Sequence, residues 1–183
     1  MEITDTRLEG VKCVKLVVHG DARGWFLESF QAQRYAQLLT GQAHFVQDNS
    51  SYSGARVVRG LHYQLRHPQG KLVRVLQGEI LDVTVDVRRA SPQFGQWQAV
   101  RLSAPGFCQL WVPPGYAHGF AVVGSEALVE YKCTEVYVPG DEVCLRWNDP
   151  ALKIDWGVLD PVMSEKDRAG SSLADLEAQG KVF

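Results

Sequence analysis

The chain has 183 residues, of which 45% are hydrophobic, and a formal net charge of −2. This length and composition favour a single globular domain over residues 1–183. The first ten residues lack the charged and apolar regions of a signal peptide, and no apolar run approaches the roughly 18 residues of a membrane span. We therefore expect a soluble cytoplasmic protein without a membrane partner.

The predicted elements are mostly strands, because short runs rich in Val, Leu and aromatic residues are separated by Gly and Pro at intervals of roughly 8 to 12 residues. The predicted strands are Val11–Val18, Lys71–Leu76, Glu79–Val87, Trp97–Leu102, Gln109–Val112, Gly119–Val123 and Ala127–Tyr137. One helix is predicted near Ala32–Leu39, ended by Gly41, and another around Ser172–Gln179. The pattern predicts an all-β antiparallel jelly roll or similar barrel with short peripheral helices, on which residues from about 160 to 183 pack.

The predicted strand Glu79–Val87 alternates between two faces. Val83, Val85 and Val87 share one face, and Asp82, Thr84 and Asp86 the other. The sequence leaves open whether the polar face meets solvent or lines a cavity.

Positive charge is concentrated between Asn49 and Gly78, a stretch without any acidic residue. It contains two histidines and five cationic side chains, namely His62, His67, Arg56, Arg59, Arg66, Lys71 and Arg74. Because the whole chain is slightly acidic, this charge is local, and it indicates a site for a small anionic molecule.

Several chemistries lack their sequence signals. The five histidines include no H-x-H pair, so the spacing predicts neither a bound metal nor a converging ligand set. The four cysteines form no C-x-x-C pair and are interpreted as reduced core thiols. A nucleophile elbow, a phosphate loop and a dinucleotide-binding glycine motif are also missing, and a pI near 6.2 argues against nucleic acid as a partner.

Nine motifs, in order along nearly the whole chain, resemble one known family. They are RGWFLESF (23–30), FVQDN (45–49), VRGLHYQ (58–64), QGKLVR (69–74), FGQW (94–97), WVPPGYAHGF (111–120), EYKCTEVY (130–137), WNDP (147–150) and LDPVMSEKD (159–167). Together they resemble the dTDP-4-dehydrorhamnose 3,5-epimerases, which are cupin-type jelly rolls. Ser50 is a departure, since the family often has histidine there.

The resemblance implies a cofactor-independent isomerase that inverts C3 and C5 of dTDP-4-dehydro-6-deoxy-D-glucose. Such a reaction needs a base, a stabiliser of the enolate and a proton donor on the opposite face. It implies His62 as the base, Asp167 as the group that orients it, Lys71 facing the oxyanion and Tyr131 as the proton donor.

Each of these residues also has a structural alternative. His62 in a strand suits a core position, and Lys71 suits a solvated edge strand. Tyr131 shares a strand face with apolar residues. Asp167 fits the fourth position of a capping box that begins at Ser164, and both of its roles are compatible.

The resemblance further implies contacts with a dTDP-sugar substrate, including phosphate contacts from arginine and a stack of Tyr137 on thymine. Tyr137 is otherwise an ordinary strand aromatic. The implied binding residues are Arg23, Glu28, Gln47, Asp48, Asn49, Arg59, Lys71, His118, Tyr137, Glu142 and Lys166.

The family is homodimeric, and we therefore expect a homodimer in which the partner chain supplies part of the pocket. Two other functions stay open at this point. One is an epimerase that inverts a single centre of another dTDP-deoxysugar, and the other is a cupin that binds a sugar nucleotide without catalysis.

Overall fold

The computed structural model describes residues 1–39 and 44–183. Within these ranges the chain forms strands β1 (Glu2–Asp5), β2 (Lys12–Lys15), β3 (Val18–Asp21), β4 (Gly24–Leu27), β5 (Gln47–Gly54), β6 (Val58–Gln64), β7 (Lys71–Asp86), β8 (Trp97–Ser103), β9 (Cys108–Val112), β10 (Tyr116–Cys133) and β11 (Glu142–Cys144). The helices are α1 (Ala32–Leu39), α2 (Glu165–Arg168) and α3 (Leu173–Ala178). None of the helices in the described ranges is both long enough and apolar enough to span a bilayer.

The predicted mostly β fold with short helices is confirmed, with corrections to its boundaries. Two pairs of predicted strands are continuous, because β7 and β10 run through the turn signals at Gly78 and Gly124. Strand β10 ends at Cys133, so Tyr137 lies beyond it. The predicted strand Val11–Val18 is divided between β2 and β3. The helix Ala32–Leu39 is confirmed, while its predicted stop at Gly41 falls outside the described residues.

The two long strands β7 and β10 pair with each other and organise the sheet. The first part of β7 also pairs with β9 and the second part with β8. The first part of β10 pairs with β6 and the second part with β5. The β7–β10 register shifts between Val123 and Ala127, opposite Gly78, whose φ is +75°. This change of partners divides the nine-stranded sheet into two halves.

Gly78 is required at this position by close packing. A Cβ atom there would lie 2.0 Å from the carbonyl oxygen of Glu126. Only glycine lets the two long strands cross so closely and adopt the positive φ without steric strain.

Both faces of the second part of β7 are buried. Val83, Val85 and Val87 pack in one apolar cluster with residues of the C-terminal segment, including Trp156 and Leu173. The opposite face carries polar residues that are also fully buried, namely Asp82, Thr84 and Asp86. The polar face of this strand therefore points into the interior, which answers the question that the alternation left open.

The C-terminal segment is fixed to the sheet at several points. Val162 and Ser171 form parallel bridges with Val57 and Leu145. At the end of the chain, the ring of Phe183 packs 5.7 Å from that of Tyr63. These contacts hold α2 against the end of β6.

Candidate active site

A cavity of about 550 Å³ opens between the two halves of the sheet. It is lined by all four predicted catalytic residues and by four further predicted binding residues, namely His62, Lys71, Tyr131, Asp167, Arg59, His118, Glu142 and Lys166. The structure therefore brings together residues that are up to about a hundred positions apart in the sequence.

One wall of the cavity is built from β5, β7 and β10. Tyr131 on β10 lies directly opposite Asn49 on β5, and Cys133 on β10 lies directly opposite Lys71 on β7. Directly opposite residues share a face of the sheet. Tyr131, Lys71 and Asn49 therefore point to the same side.

The other wall carries His62 and His118, which belong to a row of side chains across four strands. His62 on β6 is opposite Cys144 on β11 and His118 on β10, and His118 is in turn opposite Thr84 on β7. His62 thus faces the cavity from the half of the sheet that does not carry Lys71 and Tyr131.

His62 is held by a carboxylate. Its Nε2 atom lies 2.6 Å from Oδ1 of Asp167, whose side chain is 6% exposed. Burial by itself would raise the pKa of Asp167. The hydrogen bond with His62, the charge of His62 and the hydrogen bond from the backbone N–H of Gly60 outweigh burial, so the pKa of Asp167 is lowered. The carboxylate is thereby kept charged beside the imidazole, and Nδ1 is the ring nitrogen left for proton transfer.

Local structure positions Asp167. Ser164 caps α2, because its hydroxyl accepts a hydrogen bond from the backbone N–H of Asp167. The carboxylate of Asp167 is directed to His62 instead, and Gly60 donates its N–H to the second oxygen at 3.4 Å. The backbone N–H of Asp167 thus takes part in the cap of α2, while its carboxylate contacts His62.

Lys71 and Tyr131 are half-buried. Burial lowers the pKa of the Lys71 ammonium, although the nearby Cys133 and Glu142 oppose this shift. Burial also raises the pKa of the Tyr131 phenol. Within residues 1–39 and 44–183 no carboxylate forms an ion pair with Lys71. A cation without a counter-ion and a protonated phenol suit the stabilisation of an oxyanion and the donation of a proton, respectively.

His118 is paired with Asp82, which the sequence analysis did not identify as a site residue. The Nε2 atom of His118 lies 2.8 Å from a carboxylate oxygen of Asp82, and both residues are buried. The only sequence signal for Asp82 was its place on the polar face of β7. This buried pair fixes the orientation of the His118 ring in the cavity wall.

Charged residues surround the mouth of the cavity. Glu142 forms an ion pair with Lys166, and its other oxygen lies 3.7 Å from Nδ1 of His62. Arg59 is anchored through its Nε atom, which donates to the hydroxyl of Ser53 at 2.8 Å. Its guanidinium group is exposed and remains close to the cavity.

Three predicted binding residues lie beside the cavity. The amide of Gln47 donates to Asn49 at 3.0 Å, and its carbonyl accepts the backbone N–H of Tyr137 at 2.8 Å. The side chains of Gln47 and Asn49 share the face of Tyr131. Tyr137 follows the end of β10 and is 49% exposed, so it is not the ordinary strand aromatic considered above.

Three other predicted residues do not reach the cavity of their own chain. Asp48 points to the opposite face of β5, where it forms an ion pair with Lys132 at 2.9 Å, because side chains alternate along a strand. Arg23 pairs with Asp21 in the β3–β4 hairpin, and Glu28 follows this hairpin. In the described chain none of the three lines the cavity.

One set of potential metal ligands converges in the described part of the chain, although the sequence spacing did not indicate it. Ligand atoms of His62, Cys144 and Asp167 all lie within 4.8 Å of one another. Burial and the charges of Asp167 and Glu142 raise the pKa of the Cys144 thiol to about 11. Spacing could not reveal this cluster, because its members come from β6, β11 and α2.

Ser51 and Met163 also line the cavity and were not identified from the sequence. The hydroxyl of Ser51 is buried and has no hydrogen-bond partner in the described part of the chain. Ser51 lies two residues after Asn49 on β5 and therefore on the same face of the strand. This spacing was the sequence feature that could have identified it as a site residue.

Comparison with known proteins gives a consistent result. The family model described as dTDP-4-dehydrorhamnose 3,5-epimerase matches residues 5–175. A dTDP-4-dehydrorhamnose 3,5-epimerase from Pseudomonas aeruginosa is 51% identical over 161 residues, which cover 87% of this chain and 89% of the relative.

Solved structures agree with the sequence match. A dTDP-6-deoxy-D-glucose-3,5-epimerase from Legionella pneumophila, in complex with dTDP-4-keto-L-rhamnose, is 47% identical with a TM-score of 0.93, covering 97% of this chain and 95% of its own. A 3'-monoepimerase from Streptomyces bikiniensis, in complex with dTDP-quinovose, is 31% identical with a TM-score of 0.91, covering 97% and 90%. These neighbours confirm the predicted cupin-type fold.

Proposed function

Because the chain belongs to the dTDP-4-dehydrorhamnose 3,5-epimerase family and acts as such an isomerase in dTDP-L-rhamnose biosynthesis, we propose that His62, Asp167, Lys71 and Tyr131 perform its proton transfers. The observation that carries this assignment is the His62–Asp167 pair at 2.6 Å in a cavity whose opposite wall carries Lys71 and Tyr131. A base and a proton donor on opposite walls are what inversion of a carbon centre requires.

The reaction begins at a carbon next to the C4 ketone. Nδ1 of His62 removes the proton bound to carbon, and the electrons move onto the ketone oxygen. The charge of Asp167 stabilises the imidazolium that forms. Proton transfer by a positioned group of this kind contributes typically about 10²–10⁴-fold to the rate.

The developing oxyanion is stabilised by Lys71. Its side chain is half-buried in the cavity wall, where the effective dielectric constant is lower than in water and the interaction is correspondingly stronger. Tyr131 then donates its phenolic proton to the opposite face of the enolate carbon. The same groups serve C3 and C5 in turn once the sugar ring has reoriented in the cavity.

The nucleotide part of the dTDP-sugar is assigned to the remaining residues. We assign the diphosphate to Arg59 and Lys166 and the base to Tyr137, with Gln47 and Asn49 beside it. Support comes from the cationic rim and from the exposed ring of Tyr137. Asp48 has no place in this assignment, because it faces away from the cavity.

A homodimer completes the site in this proposal. Arg23 and Glu28 belong to or follow a hairpin that lies outside the cavity of its own chain, and the same hairpin exposes 59% of Trp25 and 70% of Phe26. Exposed aromatic residues beside exposed sheet edges suit burial against a second chain. The partner's hairpin then supplies its Arg23 and Glu28 to the diphosphate and base.

The other expectations complete the proposal. Residues 1–183 act as one domain, with the segment from about residue 160 fixed on the barrel through Val162, Ser171 and Phe183. The cytoplasmic location stays a prediction.

An epimerase of a single centre is the second candidate function. It is favoured by the fold that the chain shares with the Streptomyces bikiniensis 3'-monoepimerase, but that protein is 31% identical, against 51% for the Pseudomonas aeruginosa 3,5-epimerase. Proton NMR of dTDP-4-dehydro-6-deoxy-D-glucose incubated with the protein in D₂O tests both. Deuterium at C3 and C5 supports the double inversion, deuterium at one carbon supports the second candidate, and no exchange contradicts both.

A further inference from the structure

Cys144 stands next to the proposed base without a part in the proposed reaction. It lies directly opposite His62 in the β6–β11 pair, and Asp167 approaches both residues from α2. An imidazole nitrogen, a thiol sulfur and a carboxylate oxygen thus converge within 4.8 Å of one another.

These three atoms have the spacing of a metal site before the ion enters. Three atoms no more than 4.8 Å apart lie within about 2.8 Å of a common centre, whereas Zn²⁺ prefers about 2.0–2.3 Å to such ligands. Small movements of the side chains close this difference. The nitrogen, sulfur and oxygen donors are those of known zinc sites.

We propose that His62, Cys144 and Asp167 form an inhibitory binding site for a thiophilic divalent cation such as Zn²⁺. The inhibitory part of this inference rests on the proposed function of His62, whereas the binding part does not. A second cavity of about 470 Å³, lined by Cys144, Glu142 and Lys166, gives the ion a route from solvent and leaves room for water as a fourth ligand.

Binding exchanges protons for the metal without any change of oxidation state. The thiol of Cys144 loses its proton to solvent when the Zn–S bond forms. His62 stays neutral, because the proton on Nε2 is exchanged through solvent for one on Nδ1, and the carboxylate is already ionised. With the ion on Nε2, the His62–Asp167 bond is broken and Nδ1 carries the remaining ring proton, so the imidazole can no longer act as the base.

The donor set also predicts which ions inhibit. Mg²⁺ and Ca²⁺ prefer oxygen ligands and should have no effect, whereas Zn²⁺ and Co²⁺ accept nitrogen and sulfur. Inhibition by Zn²⁺ should be reversed by a chelator, since no covalent bond to carbon is formed.

Titration calorimetry with Zn²⁺ on the whole protein tests the binding, with the thiolate absorption of the Co²⁺ form as a second signal. We expect one site per chain, whose affinity for Zn²⁺ falls on the order of 10–100-fold or more in Cys144→Ser. Loss of a residue that only hydrogen-bonds to a metal ligand already costs that much, and Cys144 is a ligand itself. Cys13→Ser, on the remote strand β2, is the matched control and should bind like the wild type. Unchanged affinity in Cys144→Ser, or loss of the thiolate absorption in Cys13→Ser, would overturn the proposal.

Zinc inhibition is measured relative to the metal-free rate of each variant. The concentration for half inhibition should rise on the order of 10–100-fold in Cys144→Ser and stay unchanged in Cys13→Ser. Equal inhibition of both variants contradicts the site. The failure of the proposed function can be distinguished from the failure of the metal site. If His62→Ala keeps full metal-free activity while the wild type binds Zn²⁺ through Cys144, the proposed role of His62 is wrong and the metal site is supported.

Discussion

Nε2 of His62 lies 2.6 Å from Oδ1 of Asp167, although the two residues are 105 positions apart in the sequence. The contact joins a strand of the sheet to the C-terminal segment. Asp167 is buried, and Ser164 caps its backbone N–H. The fold therefore fixes the position of the carboxylate before any substrate is present. The geometry of the base is therefore established before the sugar binds.

The first prediction concerns this pair. His62→Ala should abolish both deuterium exchange and epimerisation. Asp167→Asn should fold normally, because Ser164 caps the backbone N–H and not the carboxylate, but kcat should fall on the order of 10²–10⁴-fold, since asparagine carries no charge to stabilise the imidazolium. Circular dichroism and steady-state kinetics measure the two effects.

A matched control separates capping from catalysis. Ser172 caps α3 as Ser164 caps α2, and it is remote from the cavity lining. Ser172→Ala should cost about 0.5–2 kcal/mol of unfolding free energy with little change in kcat. Nearly full activity of Asp167→Asn would mean that the reaction does not need the charge of Asp167.

The second prediction concerns Tyr131. Tyr131→Phe keeps the ring and removes the proton donor, so His62 can remove a proton but only return a solvent-derived one to the same face. The substrate should therefore take up deuterium from D₂O with retained configuration, while little epimerised product forms. Proton NMR of the recovered sugar nucleotide reads both outcomes. Epimerisation near the wild-type rate would assign Tyr131 to the core and point to a bound water as the donor.

The third prediction links stability to function at Lys71. Burial lowers its pKa, so the unfolded chain binds more protons than the folded one between the lowered pKa and the ordinary lysine pKa of about 10.4. Lys71→Met should therefore raise the unfolding free energy by about 0.5–2 kcal/mol at neutral pH while lowering kcat on the order of 10²–10³-fold.

The pH dependence of this effect has a definite sign. The advantage of Lys71→Met should be complete below the folded pKa of Lys71, shrink as the pH rises through about 10.4, and vanish above it, where lysine is neutral in both states. Urea unfolding at several pH values measures it. Lys181→Met, at an exposed position, is the control and should stay within about 0.5 kcal/mol of the wild type at each pH. A destabilised Lys71→Met would contradict the argument.

The fourth prediction concerns metal removal. Lys71 stabilises the oxyanion and His62 acts as a free base in the proposed reaction, so no step uses a metal ion. Exhaustive treatment of the purified protein with a chelator should not lower the rate. A large loss of activity that one divalent cation restores would show that the reaction needs a metal.

Much of the fold and of the site was predictable from local patterns. Alternation and turn signals predicted most strands, and the family resemblance identified the eight predicted residues that line the cavity, seven of them within the nine motifs. Long-range pairing was not predictable in this way. Asp82 meets His118 only because β7 and β10 pair, and Cys144 meets His62 only through the register of β11 on β6. Such contacts depend on strand register, which no local pattern in this chain fixes.

The last prediction concerns the dimer and the origin of Arg23 in the site. Light scattering over a wide concentration range should give twice the chain mass of 20.4 kDa, and a mass near 20.4 kDa throughout would contradict a dimer. Phe26→Asp should weaken the dimer, because it places a charge on a surface that association is expected to bury. Lys15→Asp, an exposed change on β2, is the control for the added charge.

Mixed dimers decide whether the hairpin acts on its own cavity or on that of the partner. Arg23→Ala and His62→Ala should each have low activity alone. If Arg23 acts in the partner's cavity, a mixed dimer has one cavity with both wild-type residues and one with neither. Co-expression in equal amounts then gives mixed dimers in half of the population, and activity should return to about a quarter of the wild-type value per chain. If Arg23 acts in its own cavity, every cavity lacks one of the two residues, and activity should stay at the average of the two variants. That second result would leave Arg23 without a role in the partner's site.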